Sequence, residues 1–296
     1  MIRRANPDFR RLRDYRSPEH LLRMDDADRA ALFEDLFRHG PGEKTWQGIG
    51  ELFANWPEGS EKAKYFDLAE QNMASWKDEL RFAFASDGNF YTGENLNPLA
   101  RLVRRFQIYR QEEHGSSELL AIANSPYSSR LNSLSIVHSE ISSRAWQAMV
   151  DSATLVGLQE LEVVNTSISP TDIALLFESD RFLQFKKIRL VEVGMKPESM
   201  HRTRSDQVVQ LREIDFSDNA LGDEGILLLA RSPWLGTVER LTLRRNFLTA
   251  SAIHAFLSSP YAHRLQALDV SENRVALAET NTLHAAAEVR RITVTV

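Results

Sequence analysis

Leu211-Arg212-Glu213-Ile214-Asp215-Phe216-Ser217-Asp218-Asn219-Ala220-Leu221 puts apolar side chains at 211, 214, 216 and 221 and an asparagine at 219. The alternation at Ile214 and Phe216 predicts a short strand with both side chains on one face. Asn219 then stands where the chain turns out of the strand. A side-chain amide there can bond the backbone groups that the turn would otherwise leave unpaired.

The same pattern recurs along the chain. Val238, Leu241, Leu243, Asn246 and Leu248 repeat it 27 residues later, and Leu265, Leu268, Val270, Asn273 and Val275 repeat it 27 residues after that. Going backward, Phe185, Ile188, Leu190 and Met195 carry it with Val193 in the asparagine place. Leu158, Leu161, Val163 and Ile168 carry it with Thr166 there, and Leu131, Leu134, Ile136 and Ile141 with Ser139. Val103, Phe106 and Ile108 form a further fragment, and Val289, Ile292 and Val294 a short last strand. A second marker has the same period: Ser125-Pro126-Tyr127, Ser232-Pro233-Trp234, Ser259-Pro260-Tyr261 and Asn97-Pro98-Leu99. Proline cannot continue a helix, so a helix is expected to end near each phrase. Repeats of this length cannot bury their apolar faces alone and must stack.

The pattern resembles the leucine-rich repeat, and its pairing of a strand with a full helix resembles the ribonuclease-inhibitor-like class. The phrase Ser217 to Leu235, SDNALGDEGILLLARSPWL, is similar to bacterial members and to repeats of the Ran GTPase-activating protein. The resemblance covers about residues 97 to 296. It implies an α/β fold: a curved parallel sheet inside, helices outside, and a surface used for protein recognition rather than catalysis. It also implies an alternative, a regulator of a nucleotide-binding protein, by fold analogy alone.

Composition bounds the function. The chain has 296 residues, 43% of them apolar, no cysteine, a net charge of −5 and a pI near 6.0. Lack of cysteine excludes disulfides and thiolate chemistry and fits a reducing cytoplasm. The acidic balance argues against general nucleic-acid binding. No apolar run reaches the roughly 18 residues of a membrane span, and MIRRANPDFRRLRDYR is too polar for a signal peptide. No phosphate loop, dinucleotide fingerprint, nucleophile elbow or zinc-helix motif occurs, and the eight histidines have no metal-ligand spacing. The expectation is a cytoplasmic binding protein that is not an enzyme and needs no cofactor. An enzyme site in the N-terminal segment is the remaining alternative.

That segment, residues 1–90, reads as a helical cap or domain ahead of a solenoid over 91–296. Arg3, Arg4, Arg10, Arg11, Arg13 and Arg16 form a basic leader, either an arm for phosphates or an acidic partner, or a solvated tail. Ser17-Pro18 reads as a helix start, and Asp25 with Asp28 as the cap of the next helix; the alternative for the Asp25, Asp26 and Asp28 cluster is a metal site. Trp46, Ile49, Phe53 and Trp56 share a helical face, as do Phe66, Ala69, Met73, Trp76 and Leu80 on a helix that Ser60 can cap. These stripes are read as core. Open solenoid ends need such a cap. One repeat is irregular: KPESMHRTRSDQVVQ, residues 196–210, with His201, Arg202 and Arg204, is either a specificity loop or a tolerated degenerate coil. The last strand, Ile292 to Val296, leaves a sheet edge through which a weak homodimer can form; otherwise the protein is a monomer.

Alternation also assigns the outward side chains to two columns. The first is Gln107, Ser135, Glu162, Arg189, Asp215, Thr242, Asp269 and Thr293. The second is Tyr109, Val137, Val164, Val191, Ser217, Arg244, Ser271 and Thr295. Glu162, Arg189 and Asp215 form a charge ladder. Tyr109, Val137, Val164 and Val191 form an apolar row, a candidate interface unless the N-terminal segment covers it. The candidate partner-binding set is therefore Tyr109, Val137, Val164, Arg189, Val191, Asp215, Arg244 and Asp269. The partner is a protein or peptide, since a small metabolite wants a closed pocket.

Overall fold

The computed structural model describes residues 18–109, 115–200 and 209–296. Among them, nine strands form one open, wholly parallel sheet in chain order. They are β1 Phe82–Phe84, β2 Arg105–Tyr109, β3 Ser133–Val137, β4 Glu160–Val164, β5 Lys187–Val191, β6 Glu213–Asp215, β7 Arg240–Thr242, β8 Ala267–Asp269 and β9 Thr293–Thr295. Parallel neighbours need a crossover, and most coils supply a helix: α5 Gly115–Asn124, α6 Ser143–Val150, α7 Pro170–Glu178, α8 Gly222–Ala230, α9 Ala250–Leu257 and α10 Leu277–Val289. Before the sheet come α1 Pro18–Arg23, α2 Asp26–Arg38, α3 Glu43–Ala54 and α4 Ser60–Asn72.

The register explains why the pattern repeats. Phe106, Leu134, Leu161, Ile188, Ile214, Leu241, Leu268 and Val294 stand opposite one another across eight strands, and all are buried. Each such side chain contributes about 1.5–3 kcal/mol by leaving water. One continuous core runs from Leu21 to Val294.

The asparagines tie coil to coil. The buried Asn219 carboxamide donates to the Leu190, Phe216 and Ser217 carbonyls and accepts the Val193 and Met195 N–H groups, at 2.8–3.2 Å. Asn246 and Asn273 repeat this one and two coils on. Where asparagine is missing, Thr166 Oγ1 donates to the Val164 carbonyl and accepts the Ser139 N–H. At Val193 the backbone serves instead, its carbonyl accepting the Ile168 N–H at 3.2 Å.

The residue before each of these places turns left-handed. His138, Asn165, Glu192, Asp218, Arg245 and Glu272 have φ between 47° and 58°. That conformation costs a residue with a Cβ about 1 kcal/mol. The first five N–H groups offset it by bonding carbonyls of the following coil, as His138 N–H does with Val164.

The helix starts follow the expected chemistry. Asp25 accepts the Asp28 N–H at 2.8 Å, Ser169 the Asp172 N–H at 3.1 Å, and Thr249 the Ala252 N–H at 3.4 Å. Two Ser-Pro phrases close into turns, Ser125 and Ser259 accepting the N–H of Tyr127 and Tyr261. Trp234 of the third is buried.

Four expectations need correction. Residues 82–84, within the segment read as helical, are the first strand, so the sheet starts earlier than the turn-rich stretch at 86–98. Helix α4 ends at Asn72, and Trp76 and Leu80 follow it in a turn and a short 3-10 segment; their regular spacing comes from packing, not from one helix. Ser60 is the first helical residue of α4 rather than its cap, which is Gly59. In β9 it is Thr295 that lies opposite Asp269, whereas Thr293 lies opposite Ala267. The step from β8 to β9 is 26 residues rather than the 24 that separate Asp269 from Thr293, a two-residue slip that keeps both threonines on the outward face. The basic leader and His201, Arg202 and Arg204 lie outside the described residues. Of the irregular repeat, Pro197–Met200 forms a 3-10 turn that packs on α7 and α8 and buries Ser199 and Met200.

The N-terminal helices close the first coil. Trp46 of α3 stacks on Phe90 with ring centroids 5.8 Å apart, and its Nε1 donates to the Phe82 carbonyl at 2.6 Å. Arg81 is buried beneath them, its Nε donating to the Leu102 carbonyl at 2.7 Å. Burial pulls its guanidinium down to about 10.

Candidate concave-face interface

Three rows of outward side chains cross the sheet. The first runs Phe82, Arg105, Ser133, Glu160, Lys187, Glu213, Arg240, Ala267 and Thr293. The second runs Phe84, Gln107, Ser135, Glu162, Arg189, Asp215, Thr242, Asp269 and Thr295. The third contains Tyr109, Val137, Val164 and Val191 on β2 to β5. The β6 to β8 strands are two residues shorter, so Ser217, Arg244 and Ser271 follow their strands rather than belong to them, and Ser217 is buried.

The charge ladder forms. Arg189 pairs with Glu162 on one side and with Asp215 at 3.2 Å on the other, and Ser135 donates to Glu162 at 2.8 Å. In the first row Glu213 lies between Lys187 at 3.3 Å and Arg240. The hydrogen bond from Arg240 holds the Glu213 carboxyl below the usual range. Arg244 and Arg245 share Glu272, and Arg245 reaches Asp218 at 3.2 Å. Asp269 accepts the Ser271 N–H at 2.9 Å, a turn bond. Arg189, Asp215 and Arg244 thus each meet a neighbouring charge.

The third row is different. Val137, Val164 and Val191 lie side by side in register, part-buried, with nothing polar between them. Tyr109 is 36% exposed, and its ring meets the exposed His138 edge-on at 6.1 Å. Phe84, 45% exposed on the neighbouring strand, lies opposite Gln107 in the second row, and Phe82 packs edge-on against it at 5.1 Å. The described N-terminal helices pack on the first coil rather than over this row. Phe82 and Phe84 were not legible in sequence, because Phe-Ala-Phe is too short to announce a strand. Phe247, 53% exposed with the Arg274 guanidinium 5.0 Å from its ring centroid, was missed for a similar reason: it fills a variable place of the repeat.

Among the described residues, no group of three His, Asp or Glu side chains is placed to hold a metal ion, and no helix is long and apolar enough to cross a membrane. The Asp25, Asp26 and Asp28 cluster serves as a helix start, Asp26 also accepting from Trp56 Nε1 at 2.9 Å and pairing with Arg29.

No family model and no curated protein matches this chain. Among solved structures it is similar to a leucine-rich-repeat protein of Leptospira interrogans, at 12% identity and a TM-score of 0.36, over 69% of this chain and 58% of that one. This chain therefore spans less than two thirds of that protein. By its own register, its asparagine ladder and its spacing of coils, the fold is a leucine-rich-repeat solenoid.

Proposed function

We propose that this protein is a scaffold that binds a partner protein or peptide through the concave face, with Tyr109, Val137, Val164 and Val191 as the apolar centre. The observation that carries this reading is the unbroken apolar row on β2 to β5. A single exposed apolar residue needs no explanation, but a contiguous strip marks an interface. The paired charges of Glu162, Arg189 and Asp215 border it as a polar rim, and Arg244 and Asp269 lie further along the same side. Rim charges steer a partner and set register more than they add affinity. The helices of residues 18–72 act as the cap of the first coil. The protein works in the cytoplasm, without a cofactor.

The test is a paired capture from native extract, followed by a direct titration. One bait is the intact chain, the other Val137→Glu, Val164→Glu and Val191→Glu, first matched for circular dichroism and melting temperature. A partner held by the intact bait alone, and bound by the purified intact chain at least about tenfold more tightly than by the variant, supports the concave row. Equal binding to both chains removes it.

A further inference from the structure

β1 uses one edge only. The Arg105 N–H donates to the Arg81 carbonyl and the Ala85 N–H to the Gln107 carbonyl, so residues 81, 83 and 85 turn their backbone groups toward β2. By alternation Phe82 and Phe84 turn theirs to the open side. Their carbonyls are occupied there, Phe82 by Trp46 Nε1 and Phe84 by the Asp87 N–H at 3.1 Å. Their N–H groups have no partner among the described residues. Unpaired strand edges are templates for another chain.

The space beside that edge is a cleft of about 470 Å³. Trp46, Phe82, Phe84 and Phe90 wall it, the Trp46 and Phe90 rings nearly parallel at 11°. Glu43, Glu51, Glu79 and Asp87 line the same space, and no ion pair neutralises any of the four among the described residues. Glu51 keeps one carboxylate oxygen out of solvent with no hydrogen-bond partner. This differs from the sheet rows, where most carboxylates meet a guanidinium or ammonium. Aromatic faces and unpaired carboxylates together favour a cation that carries an apolar stem.

We propose that this cleft takes an extended, basic segment of the partner protein, added as a strand beside β1, with an arginine or lysine side chain among Glu43, Glu51, Glu79 and Asp87. The segment's carbonyls accept from the Phe82 and Phe84 N–H groups, and its alternate side chains reach the cleft. An acidic segment is excluded by the four carboxylates. The inference rests on the partner-binding reading in one respect, that the ligand is a polypeptide. Its surface is separate from Val137, Val164 and Val191.

The test uses the full chain and a fluorescein-labelled, end-blocked peptide, Thr-Val-Arg-Val-Arg-Val-Thr, followed by anisotropy. A copy with glutamate for arginine is the charge control. The expected result is binding of the arginine peptide at least about tenfold tighter than the glutamate peptide, a further loss of about tenfold in Glu79→Gln/Asp87→Asn, and no change in the charge-matched Glu34→Gln/Asp67→Asn. Hydrogen exchange at Phe82 and Phe84 slows on saturation. The Val137→Glu, Val164→Glu and Val191→Glu chain keeps the peptide, so failure of the cleft and failure of the concave row are read separately. No binding, equal binding of both peptides, an equal loss in the two double variants, or unchanged exchange at Phe82 and Phe84 each overturns the proposal.

Discussion

The coils after Leu211 and the part of the sheet from β1 to β5 share one register but stabilise it by different means. After Leu211, Asn219, Asn246 and Asn273 each place a carboxamide between two coils, the first two of them buried, and satisfy three to five backbone groups. Before it, Ser139 and Thr166 have only a hydroxyl, and Val193 contributes no side-chain bond at all. The outward faces differ the other way. Charges across β4 to β7 are largely cancelled by neighbours, whereas β1 to β5 carry an apolar row and an uncancelled acidic cleft. The half with the stronger repeat is self-contained, and the half with the weaker repeat exposes the surfaces suited to a partner.

The comparison breaks most directly at the ladder. Asn246→Ala is expected to cost about 3 kcal/mol, because it leaves the Leu221 N–H without an acceptor and takes one of two donors from each of the Phe216 and Arg244 carbonyls. Thr166→Val is expected to cost about 1 kcal/mol, since the Val164 carbonyl keeps the His138 N–H and only the Ser139 N–H, held at 3.4 Å, loses its acceptor. Urea unfolding of both variants reads the difference, and equal midpoint shifts would show that the two halves do not differ.

A second prediction concerns Glu118 on α5, which is 2% exposed and has one carboxylate oxygen without a partner. Burial raises its carboxyl from 4.5 to about 7. Below pH 4.5 both folded and unfolded chains hold the proton. Between 4.5 and 7 the unfolded chain releases it while the folded one retains it, so stability falls through that window and levels off above. The loss reaches at most about 3 kcal/mol. Glu118→Gln is expected to remove this slope and to melt higher at pH 8, but not at pH 4. Melting temperatures across pH 4 to 8 for the two chains check this, and parallel curves would assign the slope to other groups.

The smallest effect belongs to the ladder of charges. Arg189 is partly exposed between Glu162 and Asp215, so Arg189→Ala is expected to change stability by no more than about 1 kcal/mol, and less in high salt. A much larger loss, measured in the same urea series, would mean that this network holds the sheet rather than edging it.

Much of the solenoid was legible from Leu211 to Leu221 outward, because burial in every coil demands the same side chains at the same places. Phe106 through Leu268 could be aligned before any coordinates, and the structure places them opposite one another in register; at the last strand Val294, not Ile292, joins them. The cap at Asp25 was legible for the same local reason: a side-chain oxygen and a free N–H lie three residues apart. The site was only partly legible. Tyr109, Val137, Val164 and Val191 follow from alternation, yet Phe84 does not, since β1 has three residues and stands among helices. Thr293 and Thr295 each sit two residues from the place assigned to them, a slip that alternation cannot detect because it keeps both on the same face.

Residue types and spacing therefore dictated the period, the strand faces, the helix starts and the absence of cysteine chemistry. These depend on contacts within a coil or between identical coils. Tertiary packing alone decided that Phe82 and Phe84 form a strand, that α3 leaves Glu43 and Glu51 facing Glu79 and Asp87, and that Glu118 is sealed from water. Each of these joins segments of unlike sequence, where no repeat exists to reveal the contact.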